Sequence, residues 1–143
     1  MRDIKFRGKS KFGIHEWLYG SLLMLNGKTY ICPDKATVWN MTKYEVVPET
    51  VGQFTGILDK NDIEIYEGDI VECIVKNGYD FGFIGIVDFE NGIFGIRHTT
   101  YKGYVVSCFS YSSEWNDGHA HGTVLYEYKL KGNICDNPNL IKS

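Results

Sequence analysis

The sequence FIGIVDFENGIFGIRH, residues 83–98, consists of two short apolar runs joined by the dipeptide Asn91-Gly92. Asn and Gly both accept the positive φ angles of a type I′ turn, and that turn fits the twist of two antiparallel strands. The flanking runs are rich in β-branched and aromatic residues, as strands are. The segment therefore predicts a β-hairpin with strands at residues 83–90 and 93–98.

The same turn signal recurs on the N-terminal side of this hairpin. Asn77-Gly78 follows a strand-like run at residues 69–76, so the middle of the chain is predicted to form a three-stranded meander. Further upstream, Asn26-Gly27 separates two more short apolar runs and predicts another hairpin. Tight two-residue turns therefore punctuate the chain.

The composition favours strands throughout. Ile, Val, Thr and the aromatic residues sum to 53, whereas Ala, Leu and Met sum to 13. The first group suits a pleated, half-buried surface, and the 16 glycines suit tight turns. We therefore predict an all-β protein.

The length of 143 residues corresponds to one compact domain, since domains have about 100 to 200 residues. A boundary, if there is one, is predicted near Pro48. Residues 1–47 would then form N-terminal strands and a hairpin that pack on a core formed by residues 48–143. A single domain over residues 1–143 is the alternative.

Charge is unevenly distributed along the chain. Up to Val47 there are eight Lys or Arg against four acids, a net +4, and the remainder carries seven bases against fourteen acids, a net −7. Because non-specific nucleic-acid binding needs a high density of basic residues, the total of −3 argues against a coating protein. The basic N-terminal end leaves a local phosphate contact open, although basic residues also protect edge strands from aggregation.

Two features bear on the cellular compartment. No run approaches the about 18 apolar residues of a membrane-spanning helix, and the N-terminus lacks the apolar stretch of a secretory signal. The four cysteines contain no CxxC pair, so the spacing of a zinc ribbon or a redox motif is absent. These observations predict a cytoplasmic protein with reduced thiols and no membrane partner.

Five segments together resemble the YopX family of phage and prophage proteins. The central ones are VPETVGQFTG at 47–56, DKND at 59–62 and EIYEGDIV at 64–71, and the terminal ones are RDIKFR at 2–7 and KGNICDNPNL at 131–140. Two departures are small. The family usually has Gly where this chain has Asp62, which still tolerates a left-handed backbone, and the Trp common after the opening Phe-Arg is replaced by GKS.

The resemblance implies a fold and a biological setting, not a reaction. Family members look like small β-barrel proteins with an SH3-type core, encoded by phages or integrated prophages. We therefore expect an SH3-type β-barrel core with an additional N-terminal β-hairpin region.

The pair His119 and His121 is the most suggestive metal-ligand pattern in the chain. Two His at i and i+2 on a strand share a face, and Asp117 and Cys108 are conceivable further ligands. The glycines that flank the pair indicate a flexible loop instead, and four well-spaced ligands are not apparent. No metal or other cofactor is predicted.

The turn that contains Tyr66, Glu67 and Asp69 is a weak candidate for binding or acid/base chemistry. Its two carboxylates lie on one side of the entry into a strand. Acidic turns are much more common than catalytic carboxylate pairs, so a structural role is favoured. A Cys-His nucleophile at Cys73 or Cys108 has no supporting motif, and we predict that the protein is not an enzyme.

Aromatic and basic residues alternate near the N-terminus, with Arg7 and Trp17 as the candidate binding residues. Aromatic rings and Arg on a sheet can stack bases and hold phosphates. The alternative is that the aromatic residues of this region pack in the core, since His15, Trp17 and Tyr19 share one strand face.

These observations lead to a functional hypothesis with one alternative. The first is a non-enzymatic accessory protein that binds an unidentified host or phage protein. The alternative is binding of single-stranded or structured nucleic acid through the basic, aromatic N-terminal strands. Self-association is a further expectation, because strand-rich domains have edges that identical chains can pair.

Overall fold

The computed structural model describes residues 3–13, 16–75, 83–90, 92–98, 105–108 and 126–141. These ranges contain ten β-strands and three short 3-10 helices, and no α-helix lies within them. The strands are β1 (Phe6–Lys9), β2 (Trp17–Leu25), β3 (Lys28–Cys32), β4 (Gly52–Leu58), β5 (Glu64–Tyr66), β6 (Asp69–Val75), β7 (Phe83–Glu90), β8 (Ile93–His98), β9 (Val105–Cys108) and β10 (Tyr126–Asn133). The 3-10 helices are Met41–Tyr44, Pro48–Thr50 and Pro138–Ile141.

The first sheet has the strand order β3-β2-β1-β4-β5. β2 and β3 form the hairpin predicted at Asn26-Gly27, with φ of 53° at Asn26 and 75° at Gly27. Both central residues therefore have the positive φ that a type I′ turn requires. The N-terminal hairpin prediction is confirmed.

The second sheet has the strand order β10-β6-β7-β8-β9. β6, β7 and β8 are consecutive antiparallel neighbours, so the predicted three-stranded meander is confirmed. The β7–β8 hairpin pairs Glu90 with Ile93, and Gly92 has a φ of 84°. The turn predicted at Asn77-Gly78 lies outside the described residues.

The mostly β architecture is confirmed, but the barrel is not. In the described ranges both sheets are open, and neither is closed into a barrel by pairing of its outermost strands. The SH3-type core therefore stays a prediction.

The chain divides into two compact units, residues 1–56 and residues 57–143. The predicted division near Pro48 is a statement about domains and stays a prediction. The buried apolar residues of the first unit include Tyr30, Ile31, Tyr44, Val46 and Phe54. The second unit has a buried cluster of Ile65, Val71, Cys73, Val87, Ile96 and Tyr128.

Strand pairing determines which residues share a face in the first unit. β1 pairs with β2 so that Arg7 lies opposite Tyr19 and Lys9 lies opposite Trp17. The opposite face of β1 carries Gly8, where an added Cβ would lie only 3.2 Å from Ile31 and Val46. One face of β1 thus packs on the core and the other carries the basic residues.

No helix among the described residues has both the length and the apolar character needed to cross a membrane.

Candidate functional site

A tight turn at residues 37–40, which we call the Trp39 turn, lies between β3 and the first 3-10 helix. The Thr37 N–H donates to Asn40 Oδ1 at 2.7 Å, and the Asn40 N–H donates to the Thr37 carbonyl at 3.2 Å. The Trp39 N–H donates to Thr37 Oγ1 at 3.3 Å, and Asn40 Nδ2 donates to the Lys35 carbonyl at 3.4 Å. Four hydrogen bonds thus hold the turn through residues on both sides of its tip.

The tip of the Trp39 turn presents two large apolar side chains to solvent. Val38 is 80% exposed and Trp39 is 91% exposed. Trp is normally highly buried, and it is over-represented among the residues that dominate protein–protein binding energy. An ordered turn that displays an indole has the features of a docking anchor.

The residues around the Trp39 turn add mainly positive charge. Lys35 precedes the turn and Lys43 follows it, and both side chains are exposed. Asp34 is an exposed acid on the same segment. Glu45 is buried, and its carboxylate pairs with Lys11 Nζ at 2.9 Å.

Trp39 is not among the binding residues predicted from the sequence. The turn leads into the 3-10 helix Met41–Tyr44. The signal that could have identified the site is the placement of Trp39 between Thr37 and Asn40, two residues whose side chains cap turns. A Trp at the centre of a turn has no strand neighbour to cover it.

The predicted basic and aromatic residues of the N-terminal strands are in contact. The Arg7 guanidinium carbon lies 4.6 Å from the centre of the Trp17 ring, and Lys9 Nζ lies 5.6 Å from it. Lys5 Nζ makes a similar contact with the Phe54 ring at 5.0 Å. Arg7 is only 7% exposed, so little of its guanidinium is available at the surface. Within the sheet these pairs act as cation–π contacts.

The Asp69 side chain holds the turn that contains Tyr66 and Glu67. Asp69 is 1% exposed, and its Oδ2 accepts the Tyr66 N–H at 2.7 Å. The Tyr66 hydroxyl is within 3.1 Å of a carboxylate oxygen of Glu64, and Glu67 is half-buried. Gly68, between the two acids, has a φ of 91°. Asp69 therefore has a structural task in delivering the chain into β6.

Asp59 is a buried carboxylate that the sequence did not single out. Its Oδ1 accepts the N–H groups of Asn61 at 2.7 Å and Ile63 at 3.0 Å, and its Oδ2 accepts the Leu130 N–H at 3.0 Å. Burial alone would raise the pKa of this carboxyl, but these donors and the charge of Lys60 lower the pKa below its usual value. The group stays ionised and connects two chain segments.

The turn beside Asp59 tests the substitution noted in the family motif. Asp62, which replaces the usual Gly, has a φ of 63°. The expectation that Asp would keep this left-handed turn is confirmed.

The thiols of Cys32 and Cys73 are poorly suited to nucleophilic chemistry. Burial raises the pKa of the Cys73 thiol to about 12, with a smaller contribution from the charge of Glu72. Burial also raises the pKa of Cys32. A thiol with a raised pKa is protonated at neutral pH and is a weak nucleophile.

The other catalytic and metal candidates fall outside the described residues. These are the side chains of His15, Cys108, Asp117, His119 and His121. In the part of the chain that the structure describes, no group of three His, Cys, Asp or Glu residues could hold a metal ion.

A comparison with protein families determines the family of the chain. The family model described as YopX protein matches residues 5–142. The chain belongs to the YopX family. The resemblance identified from the sequence motifs is thereby confirmed.

A solved structure is similar over the whole length of this YopX family member. It is the crystal structure of protein EF1440 from Enterococcus faecalis, with 20% sequence identity and a TM-score of 0.56. The match covers 99% of this chain and 100% of the other. At this identity the likeness shows a shared fold alone. A comparison with curated proteins finds no match.

Proposed function

We propose that this YopX family protein is a non-enzymatic protein-interaction module whose Trp39 turn inserts into a pocket of a host or phage protein. The observation that carries the proposal is the 91% exposure of Trp39 on a turn held by hydrogen bonds. A turn whose backbone is already held in place loses less conformational freedom on binding.

The side chains of the Trp39 turn indicate which kind of partner would bind it. An indole that is buried on binding removes about 150–250 Å² of mostly apolar surface from water. Val38 widens the apolar tip, and the exposed residues Lys35 and Lys43 lie on either side of it in sequence. The partner is therefore a protein with an apolar pocket and acidic residues at the rim of that pocket.

The test compares two variants that each lose an exposed aromatic ring. Trp39→Ala removes the proposed anchor, and Phe12→Ala is the matched control because Phe12 is 69% exposed and lies elsewhere on the chain. Wild type and both variants are used as bait in nuclease-treated lysate of a bacterial host, and recovered proteins are then purified and titrated. We expect a partner that binds wild type and Phe12→Ala, and whose affinity for Trp39→Ala falls at least roughly thirtyfold, as for a hot spot.

Two outcomes would contradict the proposal. One is a partner that binds Trp39→Ala as tightly as wild type. The other is that no purified protein binds the wild type in a saturable way.

A second candidate function is binding of single-stranded or structured nucleic acid, and the contacts of Arg7 and Lys9 with Trp17 support it. The low exposure of Arg7 weighs against it. This candidate requires affinity for a single-stranded oligonucleotide that decreases steeply with salt and is lost in Trp17→Ala and Arg7→Ala variants that remain folded. Unchanged affinity in both variants would exclude this surface.

The proposal extends to the biological setting. We infer that the protein is encoded by a phage or prophage, that it acts in the cytoplasm without catalysis or a cofactor, and that its core is a variant of the SH3-type barrel. Family membership supports the setting, and the protonated Cys73 thiol supports the absence of thiol catalysis.

A further inference from the structure

β2 extends well beyond the strand that pairs with it. It contains nine residues, whereas β1 contains four, and the β1–β2 ladder ends at the pair Phe6–Gly20. The remaining residues of β2, from Ser21 to Leu25, pair with β3 on the opposite side. In the described part of the chain, no strand pairs with the β1 side of β2 beyond Gly20.

The hairpin register identifies the backbone groups that point to this open edge. A two-residue hairpin loop is flanked by a hydrogen-bonded pair, which here is Leu25 and Lys28. The backbone groups of alternate residues point in alternate directions, so those of Leu23 point toward β3. The N–H and C=O groups of Leu22 and Met24 therefore point toward the open edge.

The open edge lacks the features that normally protect an edge strand. Residues 21–25 read SLLML, with no charge and no proline. Met24 is 72% exposed, and Leu25 is also exposed.

The other side of the hairpin is covered. Tyr30 of β3 bridges to Glu45, and the Val46 N–H donates to the Thr29 carbonyl at 2.9 Å. Among the described residues, one edge of the hairpin is thus covered, and the other is uncharged, apolar and without a paired strand.

We propose that this edge pairs with the same edge of a second copy of the chain, antiparallel and around a two-fold axis at Met24. In this arrangement Met24 of each copy exchanges both backbone hydrogen bonds with Met24 of the other. Leu23 of one copy lies opposite Leu25 of the other. The product is a continuous four-stranded sheet in which β2 and β3 of both copies take part.

Two properties of the edge select a second copy and this register. The edge is self-complementary, because every side chain that meets its symmetry mate is uncharged and no like charges oppose each other. An axis at Met24, which is 72% exposed, brings the outward-pointing backbone groups of the two Met24 residues together as a hydrogen-bonded pair.

The experiment uses charge at Met24, which is exposed and tolerates substitution without loss of packing. Met24→Lys and Met24→Glu each place like charges opposite each other in the dimer, whereas an equimolar mixture places Lys opposite Glu. Met24→Ala is the matched control, since it keeps the backbone donor and adds no charge. Sedimentation velocity measures the association, and thermal melting confirms that each variant is folded.

We expect wild type and Met24→Ala to dimerise at about 100 µM, a concentration suited to a small interface. Each charged variant should be monomeric there, and the mixture should form a heterodimer. Met24→Pro, which removes the edge donor without removing a hydrogen bond to β3, should weaken association at least roughly tenfold. Trp39→Ala should dimerise like wild type, so this inference and the proposed docking of Trp39 succeed or fail separately.

The inference is overturned if the wild type is a monomer at about 100 µM. It is equally overturned if the charged variants dimerise as well as wild type, or if an equimolar mixture of Met24→Lys and Met24→Glu does not dimerise. As a second measurement, hydrogen exchange of the Met24 amide should slow as the protein concentration is raised. An exchange rate that does not change with concentration would exclude this edge as the interface.

Discussion

At the scale of single residues, two buried carboxylates organise turns in this protein instead of providing chemistry. Asp59 and Asp69 are 5% and 1% exposed, and each accepts backbone N–H groups. Backbone donors offset the cost of burying a charge because they replace the hydration that the carboxylate loses. Asp59 and Asp69 therefore have structural roles, and Asp59 also links its turn to Leu130 of β10.

Asp59→Asn should destabilise the protein by about 1–3 kcal/mol near neutral pH, because the amide cannot accept all three N–H groups that the carboxylate accepts. The folded state lowers the pKa of Asp59, so its stabilising contribution is present above the ordinary Asp range. This contribution is lost as the pH falls through the folded-state pKa. Urea denaturation should thus show a difference between variant and wild type that shrinks below about pH 4.

Asp62→Asn is the matched control for this experiment. Asp62 is exposed, and Asn tolerates its φ of 63° equally well. The free energy of unfolding of Asp62→Asn should remain within about 0.5 kcal/mol of the wild-type value, both near neutral pH and below about pH 4. An equal loss in the two variants would contradict the assigned role of Asp59.

At the scale of elements, β2 is the longest strand of the N-terminal unit. Its first half pairs with β1 and its second half with β3, and Gly20 and Ser21 mark the change of partner. At Gly20 an added Cβ would overlap the Cys32 carbonyl oxygen, a backbone atom that cannot move aside. A glycine is required there by close backbone approach.

Gly20→Ala should therefore destabilise the protein by more than about 2 kcal/mol. Gly27→Ala is the comparison, since Gly27 has a φ of 75° but no atom within 4 Å of the added Cβ. It should cost only about 1 kcal/mol, the conformational penalty alone. Chemical denaturation measures the loss of stability in both variants. An equal loss in Gly27→Ala and Gly20→Ala would contradict the prediction, because it would show that the backbone at Cys32 moves away from the added Cβ without an energetic cost.

At the scale of the whole molecule, the net charge is −3, and the chain consists of two compact units. The lysines that flank the Trp39 turn belong to the basic N-terminal part, whereas the acids predominate after Pro48. A protein of this charge lacks the cation density for coating a polyanion.

We expect no binding to random duplex DNA near physiological salt at protein concentrations up to about 100 µM, the weak limit of non-specific binding. Fluorescence anisotropy of a labelled duplex measures this, with a basic DNA-binding domain as the positive control. A saturable rise in anisotropy would show that the basic N-terminal part acts independently of the total charge.

The family, the β class and the two hairpins that the structure describes were all determined by the sequence itself. Asn26-Gly27 and Asn91-Gly92 specify turns through their own φ preferences, which depend little on the rest of the chain. Family motifs such as EIYEGDIV are likewise contiguous. The sequence was sufficient to predict these features because each depends on residues that are neighbours in the chain.

Only the tertiary structure decided which side chains are covered. Sequence patterns do not decide the burial of Arg7 or Trp39, yet Arg7 is buried against Trp17 and Trp39 is almost fully exposed. The same holds for the edge of β2 beyond Gly20, which no described strand covers because β1 is shorter than β2. Burial and free edges result from which distant segments pair, and neither periodicity nor turn chemistry encodes that pairing.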